Sequence, residues 1–196
     1  MSDKIKIFLA SLLFVFCFAM SFPFVIPGTT STVFIHDFMG WILIFPVMPL
    51  FFYVVGSFKT LKKQIFAIYG ITAPANAFVF YWIFYSLNIY GGLGAIESVL
   101  ALILMFFILG LYWVAFWLLC RFFAKKIEKT SDFTDLIRVP VSSVLPLKPW
   151  FIAVVWLAVE FLRTFFPVDF FWSALGHSQY SNKVILQWAS IGSVYI

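Results

Sequence analysis

The chain has 196 residues, of which 64% are hydrophobic, 22% aromatic and only 11% charged, with a net charge of +5 and a mean hydropathy of +1.05. A soluble globular domain carries about 25% charged residues, so 28 Phe, 8 Trp and 8 Tyr on so little charge exclude a water-exposed fold. The composition places the chain among integral membrane proteins.

A helix needs about 20 apolar residues to cross a bilayer core. Taken in chain order, spans are expected near 7–26, 38–58, 65–87, 98–120 and 149–166, with a sixth apolar run over 184–196. The expected fold is therefore all-α: one transmembrane helix bundle with five full spans and a shortened sixth. Barrel strands alternate polar and apolar residues, and these runs do not. The sixth run gives only 13 uncharged residues, about 20 Å of helix against a core of about 30 Å. It reads as the beginning of a helix cut off in a longer protein, or as an element that only dips into the membrane.

Lys4 and Lys6 precede the first run and give it the appearance of a signal sequence, with Ala19-Met20-Ser21 as a small-x-small site. Pro23 and Pro27 end a helix there in any case, so the run is expected to stay as an uncleaved anchor. Pro46 and Pro49 fall inside the second span and Pro74 inside the third, where each removes a backbone donor and favours a kink. Gly91, Gly92 and Gly94 mark a short turn after the third. Cys17 and Cys120 lie in apolar runs, have no CxxC or Cys/His spacing, and read as small packing residues.

The basic residues set the orientation. Lys4, Lys6, Lys59, Lys62, Lys63, Arg121, Lys125, Lys126, Lys129, Arg138 and Lys148 all fall on one side if the spans alternate. Only Arg163 and Lys183 do not, a positive-inside pattern that makes the N terminus cytoplasmic. The same pattern removes nucleic acid as a partner, because insertion already explains the charge. Residues 121–148 form a cytoplasmic loop, and 27–37, 88–97 and 167–183 face outward.

Two groups carry chemistry. Glu160 and Arg163 lie at i and i+3 on the fifth span, share a face and can pair. Counted from Pro149 they sit about 16 Å and 21 Å along the helix, in its outward half. Ionisable residues at such depth face a protein interior or a wet cavity, so they either support an outward site or form a structural ion pair. Beyond them comes DFFWSALGHSQ, residues 169–179, which brings Asp169, Phe170, Trp172, Gly176, His177, Ser178 and Gln179 to the outer interface. Trp172 suits an aromatic belt, and Gly176 permits close approach. His177 could act as a base, but a solvated interfacial histidine is the simpler reading. His36 and Asp37 share the outer side, with none of the spacings of a metal site. Neither metal nor cofactor is expected.

Three ordered motifs resemble the apolipoprotein N-acyltransferases. Trp156 to Arg163 resembles that family's W-x-x-x-E-x-x-R, Phe170 to Gln179 its F-P-W-N-x-L-G-Y-S-Q, and Leu186 to Tyr195 its I-Q-x-A-x-x-G-G-V-Y. Tyr81-Trp82-Ile83 matches an aromatic Y-W-I at the end of the third span. Phe171, Ser173, His177 and Ser193 depart from the pattern. The resemblance implies a bacterial inner-membrane protein of lipoprotein biosynthesis. Its partners would be a phospholipid acyl donor, a diacylglyceryl apolipoprotein and bilayer lipids. Phe170, Trp172, Gly176, His177, Ser178 and Gln179 would face lipid or substrate, and Glu160 and Arg163 would support them. The resemblance covers only the family's membrane half. The nitrilase-like domain with its Glu-Lys-Cys triad has no match, so no catalytic residue is assigned here and the chain is expected to be inactive alone. Two alternatives from other classes are a small transporter or channel lined by Glu160, and a non-catalytic membrane scaffold.

Overall fold

A computed structural model describes residues 2–22, 40–130, 147–165, 174–180, 182, 184, 185 and 187. Among these residues the secondary structure is helical throughout. The elements are α1 (Asp3–Met20), α2 (Val47–Gly56), α3 (Leu61–Tyr85), α4 (Ala95–Thr130) and α5 (Pro149–Arg163), with a π-helical segment (Ser86–Tyr90) and a 3₁₀ helix (Leu175–Gln179).

Two helices are long and apolar enough to cross a membrane, α3 with its π-helical extension (Leu61–Tyr90) and α4 (Ala95–Lys126). The other expected spans are shorter or more charged. The apolar helix at Gly40–Gly56 is interrupted by a turn at 44–46, and Pro46 stands at the N-cap of α2. There its missing N–H lies outside the helical ladder, which is why proline breaks this element. Pro74, by contrast, lies within an unbroken α3. Thr72 Oγ1 donates to the Ile68 carbonyl at 2.8 Å and Asn76 Nδ2 to the Thr72 carbonyl at 2.8 Å, filling polar positions around the proline from within the helix. α5 starts at Pro149, a favourable first helical position, and its 15 residues span about 22 Å. α4 runs past Cys120 to Thr130, so the first ten residues of the expected 121–148 loop are helical. The glycine turn is present, with Gly92 at φ +68°, a left-handed conformation that suits glycine. The expected sixth run lies mostly outside the described residues, as do His36, Asp37 and the 27–37 loop.

α3 and α4 pack antiparallel, α1 lies against α2 and α3, and α5 lies against α4. Trp113 of α4 sits at the centre. Its ring centroid is 5.8 Å from Phe14 and 6.0 Å from Phe18 of α1, 4.9 Å from Phe51 of α2 and 4.4 Å from Trp156 of α5. Cys17 and Cys120 are buried free thiols in the same core. Large apolar side chains such as Phe8, Phe66, Leu104 and Phe107 point outward. A bundle with aromatic residues both inside and outside suits lipid surroundings better than water.

The α3–α4 seam depends on one small residue. The Tyr69 ring stacks on Phe107 at 5.5 Å, its hydroxyl donates to the Phe107 carbonyl at 3.3 Å, and Gly110 makes room for it. A methyl at position 110 would overlap the Tyr69 ring. Small residues at such crossings let helices approach in membranes. Gly110→Ala is expected to lower stability by about 1–3 kcal/mol through overpacking. Thermal unfolding in detergent checks this, with the loss shrinking in a Tyr69→Ala background.

Candidate functional site

α5 carries one continuous face of Pro149, Ile152, Ala153, Trp156, Leu157 and Glu160. The spacing of three and four is that of one helical stripe. Opposite it stand Met48, Pro49 and Phe52 of α2, and Leu175 and Gly176 of the 3₁₀ helix close the end at which Glu160 lies. Together they bound an apolar groove of about 600 Å³, within the range of about 300–1,000 Å³ common for small-molecule sites. From Pro149 to Glu160 it follows about 16 Å of helix axis. Among the described residues Glu160 is the one ionisable side chain on its wall.

Glu160 is 5% exposed. Its Oε1 accepts the backbone N–H of Leu175 at 2.7 Å, so the fifth helix caps the start of the 3₁₀ helix. A carboxylate there satisfies a donor that the short helix cannot pair internally. At the other end Gln179 Nε2 donates to the Trp41 carbonyl at 3.0 Å, across 138 positions of sequence, and to Ser178 Oγ at 3.1 Å. Fully buried Ser178 donates its hydroxyl to the Leu175 carbonyl at 2.7 Å. The 3₁₀ helix is therefore a strap, tied at one end to α5 and at the other to the segment leading into α2.

Arg163 is 6% exposed and close enough for its charge to act on Glu160, on His177 of the strap and on Tyr112 of α4. Sequence spacing suggests a simple Glu160–Arg163 pair. The structure gives the Glu160 carboxylate a backbone partner and sets Arg163 near groups of two other elements, the strap and α4. His177 is half-buried, and burial first, then the Arg163 charge, holds its imidazole below the ordinary value of 6.5. The Ser178 hydroxyl is committed to a carbonyl, so the adjacent His177 and Ser178 do not form a nucleophile and base. Among the described residues no three His, Cys, Asp or Glu side chains gather as a metal site would need.

Of the residues singled out by sequence, Glu160, Arg163, Gly176, His177, Ser178 and Gln179 come together here. Phe170 and Trp172 lie outside the described residues, as do Asp169 and Ser173. Met48, Pro49, Phe52 and Trp41 were not expected. The α5 half of the groove is visible as its 3.6-residue stripe, but nothing local points from Gln179 to a carbonyl near residue 41.

The long apolar helices α3 and α4, with aromatic side chains facing outward, define an all-helical protein with two candidate membrane spans among the described residues. The chain belongs to the apolipoprotein N-acyltransferase N-terminal domain family, which matches residues 28–196. α1 precedes the matched region, yet its Phe14 and Phe18 are part of the same core. No curated protein and no solved structure matches the chain. Membership carries with it a role in lipoprotein biosynthesis and substrates that are, in general terms, lipids and lipoproteins.

Glu160→Leu leaves the Leu175 N–H without its acceptor and is expected to cost about 1–3 kcal/mol. Glu160→Gln keeps an acceptor oxygen and should cost less; thermal unfolding of both variants checks the order. His177 binds its proton less readily folded than unfolded, so its contribution is fully present above the unfolded value near 6.5 and is lost as pH falls below it. The melting temperature is expected to drop through that window, and His177→Gln should flatten the drop.

Proposed function

We propose that the chain is the membrane part of an apolipoprotein N-acyltransferase, residing in a bacterial inner membrane with its N terminus cytoplasmic. The match over residues 28–196 carries the reading. In this topology α1, the 40–56 segment, α3, α4 and α5 are the five spans, and the run beginning at Val184 is a sixth. The strap and residues 169–174 then face outward.

In the reaction this implies, a cysteine thiolate attacks the ester carbonyl of a phospholipid. A lysophospholipid leaves and a thioester remains on the enzyme. The α-amine of the diacylglyceryl-cysteine at a lipoprotein's N terminus then attacks the thioester, loses a proton and becomes an amide, and the thiol is regenerated. The present residues supply the substrates' place rather than this chemistry. Cys17 and Cys120 are buried among aromatic rings, unreachable by a lipid ester, and neither is matched to the family's nucleophile by the resemblance. Catalysis is assigned to a nitrilase-like region outside them.

The groove supports this division of labour. An acyl tail lies along the α5 stripe, with its polar end near Leu175 and Gly176. By the resemblance Phe170 and Trp172 face lipid or substrate, and Glu160 holds the strap that closes one end of the groove. Gly176 lets the headgroup approach the backbone.

Two measurements test the proposal. Incubated with phospholipid and a diacylated lipopeptide, the chain alone is expected to give no N-acylation. Joined to a family nitrilase-like domain it should become active, and Glu160→Leu should then reduce kcat/KM by about tenfold or more, the equivalent of one lost hydrogen bond. Turnover by the chain alone that survives removal of both cysteines would overturn the assignment. Thiol labelling in intact cells should modify Ser173→Cys from outside and Lys129→Cys only after the membrane is opened.

A further inference from the structure

The opposite end of the bundle carries a second polar structure, built around Gln64. This side chain is 2% exposed near the start of α3. Its carboxamide oxygen accepts from Trp117 Nε1 at 3.0 Å and from Arg121 Nη1, and its nitrogen donates to the Phe58 carbonyl at 2.7 Å. One amide thus fixes the loop before α3, the first turns of α3 and the second half of α4 against one another. Lys59 follows Phe58 directly, Lys62 and Lys63 lie in the first turn of α3, and Lys125 is one turn beyond Arg121 on α4. These four lysines are exposed and Arg121 is half-exposed. None of the five forms an ion pair with another described residue.

The corner also has the features of a bilayer boundary. Phe123 of α4 meets Phe151 of α5 at 5.2 Å, which brings exposed Phe122 and Trp150 to the same level. Phe66, one turn along α3 from Lys62, is 66% exposed. Cations at the level of an aromatic belt, with apolar side chains immediately inside, match an amphiphile whose head is anionic. The positive end of the α3 dipole adds to the attraction. Insertion alone asks only for positive charge somewhere on this side. It does not ask for a buried glutamine that holds an arginine at a corner with four lysines.

We propose that this corner binds the phosphate headgroup of an anionic phospholipid in the cytoplasmic leaflet. Arg121, held by Gln64, and Lys59 and Lys63 donate to the phosphate oxygens, and the tails lie on Phe66 and the neighbouring lipid-facing surface. The site rests on the membrane topology proposed above and is independent of acyl transfer, which takes place at the other face.

The test reconstitutes the chain in nanodiscs of phosphatidylcholine alone and with added phosphatidylglycerol or cardiolipin. Lipid retention is read by native mass spectrometry and protection by thermal unfolding. Anionic lipid is expected to be retained preferentially and to raise the melting temperature. Lys59→Gln/Lys63→Gln should weaken retention about fivefold per charge removed, with the melting temperature in phosphatidylcholine unchanged. Lys4→Gln/Lys6→Gln removes the same charge from the same side but away from the corner, and should leave retention as it is. Equal loss in the two double variants, or loss in neither, overturns the site. Protection by inorganic phosphate in phosphatidylcholine nanodiscs would make it a free-anion site and overturn the lipid assignment. A chain that does not enter nanodiscs counts against the membrane reading itself, a result distinct from either of these.

Discussion

The contact between Trp113 and Trp156, ring to ring at 4.4 Å, is the joint on which the other arrangements depend. Within a bilayer the hydrophobic effect does little to hold helices together, because lipid tails are as apolar as leucine; close packing and hydrogen bonds must do it. Trp113 meets that need by touching α1, α2 and α5 at once. Phe116 adds an edge-on contact to Trp156 at 4.9 Å. With Trp156 fixed, the next turn of α5 has one angular position, and Glu160 is carried to the strap.

Polar side chains are sparse in this core; Thr72 and Asn76 bond within their own helix, and those that tie separate segments together lie at the two ends. Near the Glu160 end a carboxylate and a carboxamide tie the strap to two helices. At the other end Gln64 gathers an indole, a guanidinium and a carbonyl. In both places a side chain reaches a backbone group of a non-helical or short segment. Such segments cannot satisfy their own amides and carbonyls, and an unpaired buried group is costly. Long helices supply the rigid supports, and a few polar side chains fix the loops to them.

Much of this was legible from the chain. Composition gave the helical class, Pro149 the start of α5, and the spacing of Glu160 and Arg163 their common buried face. Other features follow from partners that are distant in sequence. Periodicity says which way Glu160 points but not that a backbone N–H fifteen residues later is its hydrogen-bond donor. Gln64 is an ordinary polar residue in the first turns of α3 when taken from the sequence, because its importance lies in Trp117 and Arg121. The end of α4 follows a different rule: charge marks the edge of a membrane span, whereas helix ends are set by caps and breakers, and neither occurs between Cys120 and Thr130, so the helix runs on past the expected span.

The strap's two moorings are landed on main chain: the carbonyl of residue 41 and the amide of residue 175. A peptide group is present whatever side chain it bears, proline's missing amide aside. Mutational drift at those landing points therefore leaves the tether intact, while the reaching residues, 160 and 179, are held to groups that can accept or donate at the right length. Evolution is free to recontour the lip of the groove, and so what it accommodates, without cutting the strap loose.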